Sequence, residues 1–322
     1  MQLTEIRSLI ADDMRSVDAL IEQRLNSDVA LVRRISEYII GGGGKRLRPA
    51  LVLLAAGCLG YRGMIHHELA AVIEFIHTAT LLHDDIVDVS EMRRGRKTAN
   101  SQFGNAPSVL VGDFLYSRAF QMMVSAGNMR VMAVLADATN AIAEGEVLQL
   151  LNVRNAAISE AEYLGVVQRK TAKLFEAAAQ IGAIIAGADA QEERCLAQYG
   201  LHIGTAFQLI DDVLDYSGDS SETGKSLGDD LSEGKPTLPL IRIIQNGSPA
   251  QAALVRHAIE DGGRAEFLPV MEAIRATDAL EYTRERARAE SAKACKGIER
   301  LRESPHRYSL IELAKFAVDR SH

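Results

Sequence analysis

Residues 77–98 read HTATLLHDDIVDVSEMRRGRKT, a stretch that predicts a helix carrying an acidic site. On an α-helix Asp84 and Asp88 lie about one turn apart, roughly 5–6 Å between Cβ atoms, and Asp85 flanks them. Like charges at this spacing destabilise a helix, so the triad is expected to bind a cation. Magnesium fits because it prefers oxygen ligands and binds carboxylates together with phosphates, which Arg93 and Arg94 could hold.

A second copy of this pattern occupies residues 204–215, which read GTAFQLIDDVLD. Its aspartates, Asp211, Asp212 and Asp215, match the first triad at a constant offset, as do nearby threonine, alanine and leucine positions. One triad alone could be a solvated acidic helix end, but two register-matched copies are not expected by chance. We therefore predict two helices that face each other across a cleft with magnesium ions between them. Gln208 shares a face with these aspartates and is predicted to line the cleft.

The composition favours an all-helical protein. A chain of 322 residues can bury a large core, and 7 prolines, no tryptophan and no period-2 apolar runs argue against a β or α/β fold. We therefore predict an all-α, single-domain helical bundle over residues 1–322. The formal net charge of -7 argues against general nucleic-acid binding.

The cysteines and the N-terminal sequence indicate the cellular compartment to expect. The 3 cysteines have no C-x-x-C spacing, so neither a disulfide framework nor a zinc site is indicated, and a reducing cytoplasm is expected. The N-terminus lacks a signal-peptide pattern, and no apolar run approaches the roughly 20 residues that span a bilayer. A soluble protein without a transmembrane segment is expected.

Periodicity and stop signals predict the course of the helices. Two helices occupy residues 2–40, with a break near residues 26–28, and further helices are expected at 45–59, 66–88, 107–126, 128–153, 159–186 and 190–217. The glycine- and charge-rich segment 218–237 is predicted to be a lid that excludes water when substrate binds.

A basic segment follows the second helix, where residues 41–49 read GGGGKRLRP. A glycine-rich approach followed by three cations can present N–H groups and charge to a diphosphate. The segment is not a P-loop, because that motif requires glycine at Ile39 and a hydroxyl residue at Arg46; Gly224-Lys225-Ser226 fails in the same way at Asp219. A solvated helix start is the alternative.

Two further side chains are candidates by position. His77 lies two turns from Asp84 on one helix face and is predicted to point into the site, the alternative being a hydrogen bond within the core. Lys170, next to Thr171, is either a phosphate ligand or a surface lysine, and spacing alone leaves both readings open.

These motifs together resemble those of the trans-polyprenyl diphosphate synthases, and within that family the bacterial octaprenyl type. The resemblance spans nearly the whole chain and rests on residues 43–49, 84–95, 145–149, 170–171, 208–215 and 224–240. It implies an isoprenoid-synthase helical fold with a central active-site cavity, a homodimer, and head-to-tail addition of isopentenyl diphosphate to an allylic diphosphate, with farnesyl diphosphate as the expected starter.

The resemblance also implies roles for individual residues. Asp84, Asp88 and Asp211 would hold magnesium, three ions when substrate is bound, with Asp85, Asp212 and Asp215 in support. No side-chain nucleophile is needed, because the isopentenyl double bond attacks an allylic cation and the departing diphosphate takes the proton. Isopentenyl diphosphate would be bound by Lys45, Arg48, His77 and Arg94, and the allylic diphosphate by Arg93, Lys170, Thr171, Gln208, Lys225 and Lys235, of which Lys170 and Lys225 also count among the catalytic residues.

Small residues near the first triad bear on product length. Ala79 and Thr80 lie about one turn before Asp84, where a growing tail that runs along the helix would pass, and their small size argues against a short product. Phe120 and Met123 share a face of a later helix, and either could form the tunnel floor, although ordinary core packing is the alternative. The resemblance favours a product near C40, a precursor of a quinone side chain such as that of ubiquinone, with peripheral membrane contact at its release.

Other classes fit less well. A class I terpene cyclase would share the ionisation step but does not need the basic segment or His77 for a second diphosphate. An HD-type phosphohydrolase could use His83 and Asp84 but would not explain the second triad. A regulatory subunit with decayed metal ligands is disfavoured because both triads are intact. A prenyl synthase of another chain length, nonaprenyl or geranylgeranyl, stays open.

Overall fold

The computed structural model describes residue 6 and residues 8–217, 227–261 and 266–320. Within these ranges the chain is almost entirely α-helical, so the prediction of an all-α fold is confirmed. In the same ranges, no helix combines the length and apolar character that a membrane-spanning segment requires.

The helices begin and end close to the predicted positions. In chain order they are α1 Ala11–Arg24, α2 Ala30–Ile40, α3 Leu47–Cys58, α4 Ile65–Val87, α5 Ala99–Phe103, α6 Asn105–Ala126, α7 Met129–Asn152, α8 Glu160–Val167, α9 Lys173–Ile185, α10 Ala190–Ser217, α11 Asp229–Ser232, α12 Leu238–Asn246, α13 Pro249–Asp261, α14 Phe267–Arg275, α15 Ala279–Ile298 and α16 Pro305–Asp319.

Two local features depart from the prediction. The arginine-rich segment after α4 forms a small antiparallel hairpin of β1 (Met92–Arg93) and β2 (Arg96–Lys97), although no strands were predicted. The helix predicted over 159–186 contains a π-helical turn, π1, at Gln168–Ala172 between α8 and α9. Strands of two residues are too short to show a period-2 pattern, and a π turn leaves the side-chain periodicity on either side almost unchanged.

The chain divides into two compact units. Unit 1 contains Met1–Thr139, Leu174–Gly200 and Gly297–Leu313, and unit 2 contains Asn140–Lys173, Leu201–Lys296 and Ala314–His322. The first aspartate triad lies in unit 1 and the second in unit 2. The prediction of one domain over residues 1–322 stays a prediction.

Unit 1 is built around α4. This helix packs against α1, α3 and, most extensively, α6. Residues 69–76 of α4 are buried without interruption, as expected of a helix that is apolar on all sides and surrounded by other helices. The packing holds the helix that carries the first triad.

Unit 2 has two apolar clusters. The first joins Tyr216, at the end of α10, to residues of α11 through α14, and the second joins Leu209 and Ile210 to α8 and α12. The last turns of α10, which carry the second triad, therefore have apolar neighbours on their inner face.

A close backbone approach in unit 1 depends on one glycine. A Cβ atom built at Gly200 in α10 would lie 2.4 Å from the carbonyl oxygen of Phe175 and 2.7 Å from the Cα of Glu176, both in α9. Real Cβ atoms do not approach backbone atoms so closely, so α9 and α10 can pack at this distance only with glycine here.

We expect Gly200→Ala to lower the free energy of unfolding by about 1–3 kcal/mol, because the added methyl forces two helices apart. Gly297→Ala in α15 is the matched control, since a Cβ there has no heavy atom within 4 Å, and it is expected to be neutral or stabilising by up to about 1 kcal/mol. Denaturant unfolding of both variants measures this difference, and equal stability of the two would contradict the packing argument.

Candidate active site

The first aspartate triad lies at the C-terminal end of α4. Asp84 and Asp85 are in the last turn, and Asp88 is the C-cap, whose N–H donates to the Asp84 carbonyl at 2.8 Å. The predicted one-turn spacing is therefore confirmed. Carbonyls at this end of a helix carry partial negative charge, so three carboxylates here repel both one another and the helix dipole.

The middle aspartate of this triad is buried, whereas Asp84 and Asp88 are partly exposed. Oδ1 of Asp85 accepts from Nε and Nη2 of Arg93, each at 2.7 Å. Burial raises the pKa of Asp85 even though the Arg93 charge opposes the shift. Its Oδ2 is buried and has no hydrogen-bond partner among the described residues. Asp85 thus positions Arg93 and leaves one buried oxygen for another positive group.

The hairpin after α4 places Arg94 at its tip. Arg94 and Gly95 both have positive φ angles, 52° and 72°, as a two-residue type I′ turn requires. Glycine adopts this conformation readily, whereas arginine does so at a cost, and such strained residues cluster at functional sites. The guanidinium of Arg94 donates to the carbonyl of Gly43, in the glycine segment before α3.

A pocket in unit 1 is bordered by the end of α2, the glycine segment, the middle of α4 and the hairpin. Two residues predicted for isopentenyl diphosphate, His77 and Arg94, line it, but Lys45 and Arg48 do not. Arg48 instead lies beside His77, with 3.3 Å between Nη1 and Nε2, and over the Phe175 ring at 4.3 Å. The ionisable lining residues are Tyr38, Arg46, Glu74, His77, Asp85, Arg93, Arg94, Arg96 and Lys97.

His77 is a neutral group among these cations. Burial, followed by the charges of Arg48, Arg94, Arg93 and Arg46, holds the pKa of His77 well below its usual value. The imidazole is therefore uncharged at neutral pH and can take part in hydrogen bonds without adding a further positive charge.

Arg46 is a residue whose role the sequence did not indicate. It lines the pocket, has a φ of 51° at the start of α3, and pairs with Glu74 and, at 3.7 Å, with Asp18. Its place in the basic segment was visible, but the fold decides which of the three cations faces the pocket.

The second triad, in unit 2, has the same burial pattern as the first. Asp211, Asp212 and Asp215 lie in the last two turns of α10, with Asp212 buried and the outer two partly exposed. They too lie at the negative end of a helix. Burial, followed by the charge of Asp230, raises the pKa of Asp212 to about 8.

A hydrogen-bonded network surrounds Asp212. Tyr163 donates to Oδ2, and the Gln208 amide donates to Oδ1 at 3.0 Å. Gln208 in turn accepts from the Thr171 hydroxyl at 3.1 Å. Thr171 and Gln208, both predicted for the allylic diphosphate, are thus linked to the middle aspartate through the Gln208 amide. Tyr163, which sequence analysis did not single out, bonds the other oxygen of Asp212.

Asp215 caps the short helix α11. Its carboxylate accepts from the N–H groups of Asp229 and Asp230, at 3.2 and 3.3 Å. Part of the predicted lid is therefore helical and bound to the triad. Lys235, further along, pairs with Glu233 at 2.6 Å, and the predicted ligand Lys225 lies outside the described residues.

Lys170 lies in the π turn and is held by two residues of α7. Its Nζ is 2.5 Å from Glu146 Oε2 and 2.6 Å from Gln149 Oε1. A Cβ atom built at Gly145 would lie 2.6 Å from the backbone nitrogen of Lys170, so only glycine lets α7 approach the backbone of π1 this closely. π turns are frequent at functional sites, and these contacts argue against a free surface lysine.

Arg320 is another residue that sequence analysis missed. Its Nη2 lies 2.7 Å from Oδ1 of Asp211, and its guanidinium lies over the Phe207 ring at 3.7 Å and donates to the Phe207 carbonyl. The side chain is almost fully buried. No local pattern could reveal this contact, because the two residues lie far apart in the chain.

The residues predicted to set product length lie in unit 1. Ala79 is buried, and the Thr80 hydroxyl donates to the His77 carbonyl at 2.8 Å. On α6, Met123 is 1% exposed, whereas Phe120 is 39% exposed. Their roles stay predictions.

The acidic residues fit magnesium. Each triad offers carboxylate oxygens, the ligand type that this hard cation prefers. Both triads lie at the negative ends of helices, and Asp85 retains a buried oxygen without a partner in the described ranges. The prediction that both triads bind one magnesium cluster stays a prediction.

Comparison with known proteins agrees with these features. Residues 29–274 match the family described as polyprenyl synthetase. Octaprenyl diphosphate synthase of Escherichia coli is 55% identical over 321 residues, 99% of each chain. The all-trans-nonaprenyl-diphosphate synthase (geranyl-diphosphate specific) of Rhodobacter capsulatus is 44% identical over 98% of this chain and 97% of that protein. The crystal structure of a polyprenyl synthase from Caulobacter crescentus, complexed with calcium and isoprenyl diphosphate, superposes with a TM-score of 0.96 at 44% identity, covering 100% of this chain and 98% of that one.

We expect Gly145→Ala to weaken pyrophosphate binding about tenfold, because a methyl group there displaces Lys170 at a cost of about 1–3 kcal/mol. Titration calorimetry with pyrophosphate and Mg²⁺ measures the affinity. Gly165→Ala in α8 is the control, since its Cβ would meet only the flexible Arg169 side chain at 3.4 Å. Equal affinities of the two variants would show that Lys170 is not a phosphate ligand.

Proposed function

The chain belongs to the polyprenyl synthetase family, and on this premise we propose that it is a magnesium-dependent all-trans polyprenyl diphosphate synthase with an octaprenyl product. Such a prenyltransferase adds isopentenyl diphosphate head to tail to an allylic diphosphate. The observation that carries the proposal is the shared design of the triads, each of which presents its outer aspartates and buries the middle one at the negative end of a helix.

The outer aspartates Asp84, Asp88 and Asp211 are the proposed magnesium ligands. When bound, magnesium would neutralise the diphosphate leaving group and so favour ionisation of the allylic substrate. Asp215 has its carboxylate occupied by backbone N–H groups of α11, which supports its assignment to a supporting role. In the same way, Asp85 and Asp212 orient side chains instead of facing solvent.

The side chains that these aspartates orient are the proposed ligands of the allylic diphosphate. Asp85 holds Arg93, and Asp212 holds Gln208, which accepts from Thr171. Glu146 and Gln149 hold the ammonium group of Lys170. Because each donor is fixed before substrate binds, less side-chain entropy is lost when the diphosphate arrives. Lys225 and Lys235 complete the proposed set.

The unit 1 pocket is the proposed site for isopentenyl diphosphate. Arg46 and Arg94 supply charge there, and His77 is a neutral hydrogen-bonding partner. Lys45 and Arg48 stay in the proposed set, with Arg48 placed beside His77. A class I terpene cyclase, the competing function, ionises a single diphosphate and would have no need of a second cationic pocket.

The proposal includes a homodimer. On α6, Val109, Leu110, Phe120 and Val124 are exposed apolar residues that fall within one stripe of about 100° around the helix. An exposed apolar stripe of this kind suits contact with a second copy of the chain. The proposal also places the protein in the cytoplasm, with peripheral membrane contact at product release, and it is consistent with the lack of a disulfide among Cys58, Cys195 and Cys295, all of which lie in the described ranges.

We expect Asp84→Asn and Asp211→Asn each to lower kcat at least about 100-fold, or about 2.7 kcal/mol, because each removes a magnesium ligand while preserving shape. The assay combines isopentenyl and farnesyl diphosphates with Mg²⁺. Asp137→Asn, at an exposed position of α7, is the control and should be fully active. Near-normal rates in either triad variant would refute the metal assignment.

We expect Ala79→Tyr to shorten the product, because a buried ring beside the first triad obstructs a tail along α4. Met123→Ala should lengthen it, whereas Phe120→Ala should not, since Met123 is buried and Phe120 is partly exposed. Chromatography of dephosphorylated products measures chain length. Unchanged products from a folded Ala79→Tyr variant would show that the tail does not pass this point.

A further inference from the structure

The N-terminal end of α4 gathers two histidines and an aspartate that the proposed reaction does not use. His66 and His67 lie in the first turn of α4, and Asp13 lies on α1, all within unit 1. Oδ1 of Asp13 is 2.8 Å from Nε2 of His67 and 3.5 Å from Nε2 of His66. One ligand atom from each of the three residues lies within 4.8 Å of the other two.

The cluster is enclosed on the histidine side and open on the carboxylate side. The His67 and His66 side chains are 6% and 12% exposed, and the Asp13 side chain is 38% exposed. The two imidazole rings lie 4.0 Å apart between centroids at an interplanar angle of 31°, and the Tyr61 ring makes a T-shaped contact with His66, with 5.3 Å between centroids. Side chains thus fix both rings, while solvent can reach the third ligand.

The hydrogen-bonding state of His66 is incomplete. A neutral imidazole carries one N–H, so both rings can donate to Asp13 only if each keeps its proton on Nε2. Nδ1 of His66 is then a buried acceptor, and no described residue donates to it. A metal bound at Nε2 would place the proton on Nδ1, and the Met64 carbonyl, which interacts with this ring, would accept a hydrogen bond from that N–H.

We propose that Asp13, His66 and His67 bind a divalent transition metal of the zinc type, with water as a fourth ligand. Tetrahedral bonds of about 2.0–2.1 Å separate ligand atoms by about 3.3 Å, between the two distances found here. Two imidazoles and one carboxylate favour Zn²⁺ or a related ion over Mg²⁺, which prefers oxygen ligands. The ion would join α1 to the start of α4 and stabilise unit 1, away from the reacting groups.

The test measures metal binding and stability on the full chain after chelator treatment. Zn²⁺ is titrated by calorimetry, with Co²⁺ absorption as a report on tetrahedral nitrogen ligands. We expect the unaltered chain to bind one equivalent of Zn²⁺. Asp13→Asn, His66→Ala and His67→Ala should each weaken this binding at least about tenfold. Zn²⁺ should raise the Tm of the unaltered chain in a concentration-dependent way and should not raise that of Asp13→Asn.

Two controls separate this site from others. The double variant Asp84→Asn/Asp211→Asn disables both triads and should still bind one equivalent of Zn²⁺. The result therefore does not depend on the proposed function. His257→Ala breaks an exposed histidine–aspartate pair, His257 with Asp261 at 3.3 Å, and should also retain this binding. Asp13→Asn is the conservative variant to rely on if a histidine variant does not fold. Zn²⁺ binding that persists in Asp13→Asn, or no Zn²⁺ binding beyond that of the triads, would show the cluster to be only a packing contact between α1 and α4.

Discussion

Repulsion among carboxylates at the negative ends of two helices is the constraint on which the site depends. In α4 and α10 alike, three aspartates occupy the last turns, where backbone carbonyls already carry partial negative charge. The protein offsets part of this repulsion itself, with Arg93 at Asp85 and Arg320 at Asp211. Asp84, Asp88 and Asp211, the partly exposed outer aspartates, are the proposed ligands of a divalent cation, which would complete the neutralisation.

The middle aspartate links metal binding to phosphate binding. A buried carboxylate is stable only when it is hydrogen-bonded, and Asp85 and Asp212 obtain those bonds from Arg93 and Gln208, both proposed diphosphate ligands. One D-D-x-x-D pattern therefore does two things. In the proposed function, its outer residues bind the metal, and its inner residue holds a proposed phosphate-binding side chain in position. Both triads show the same division between partly exposed outer aspartates and a buried middle one.

The cations that line the unit 1 pocket also repel one another, as the aspartates of each triad do. Arg46 and Arg94 line one pocket, and both adopt left-handed backbone conformations that arginine rarely takes. Repulsion between like charges and backbone strain can occur together where a bound anion stabilises the cations. The lowered pKa of His77 belongs to the same balance, because a charged imidazole would add to a field that is already strongly positive.

Local patterns in the sequence were enough to predict the helices and the spacing within both triads, whereas the link of the basic segment to phosphate stays a prediction. Apolar periodicity, glycine stops and the four-residue spacing of aspartates act over a few residues, so they can be recognised without a fold. Only the tertiary structure decided which aspartates are buried, that Arg320 reaches Asp211, that Tyr163 and Gln208 share Asp212, and that His66 and His67 meet Asp13. Gln208 and Asp212 are one turn apart on α10, as their spacing predicted, but the other contacts join residues far apart in the chain, and helix packing determines which of those side chains meet.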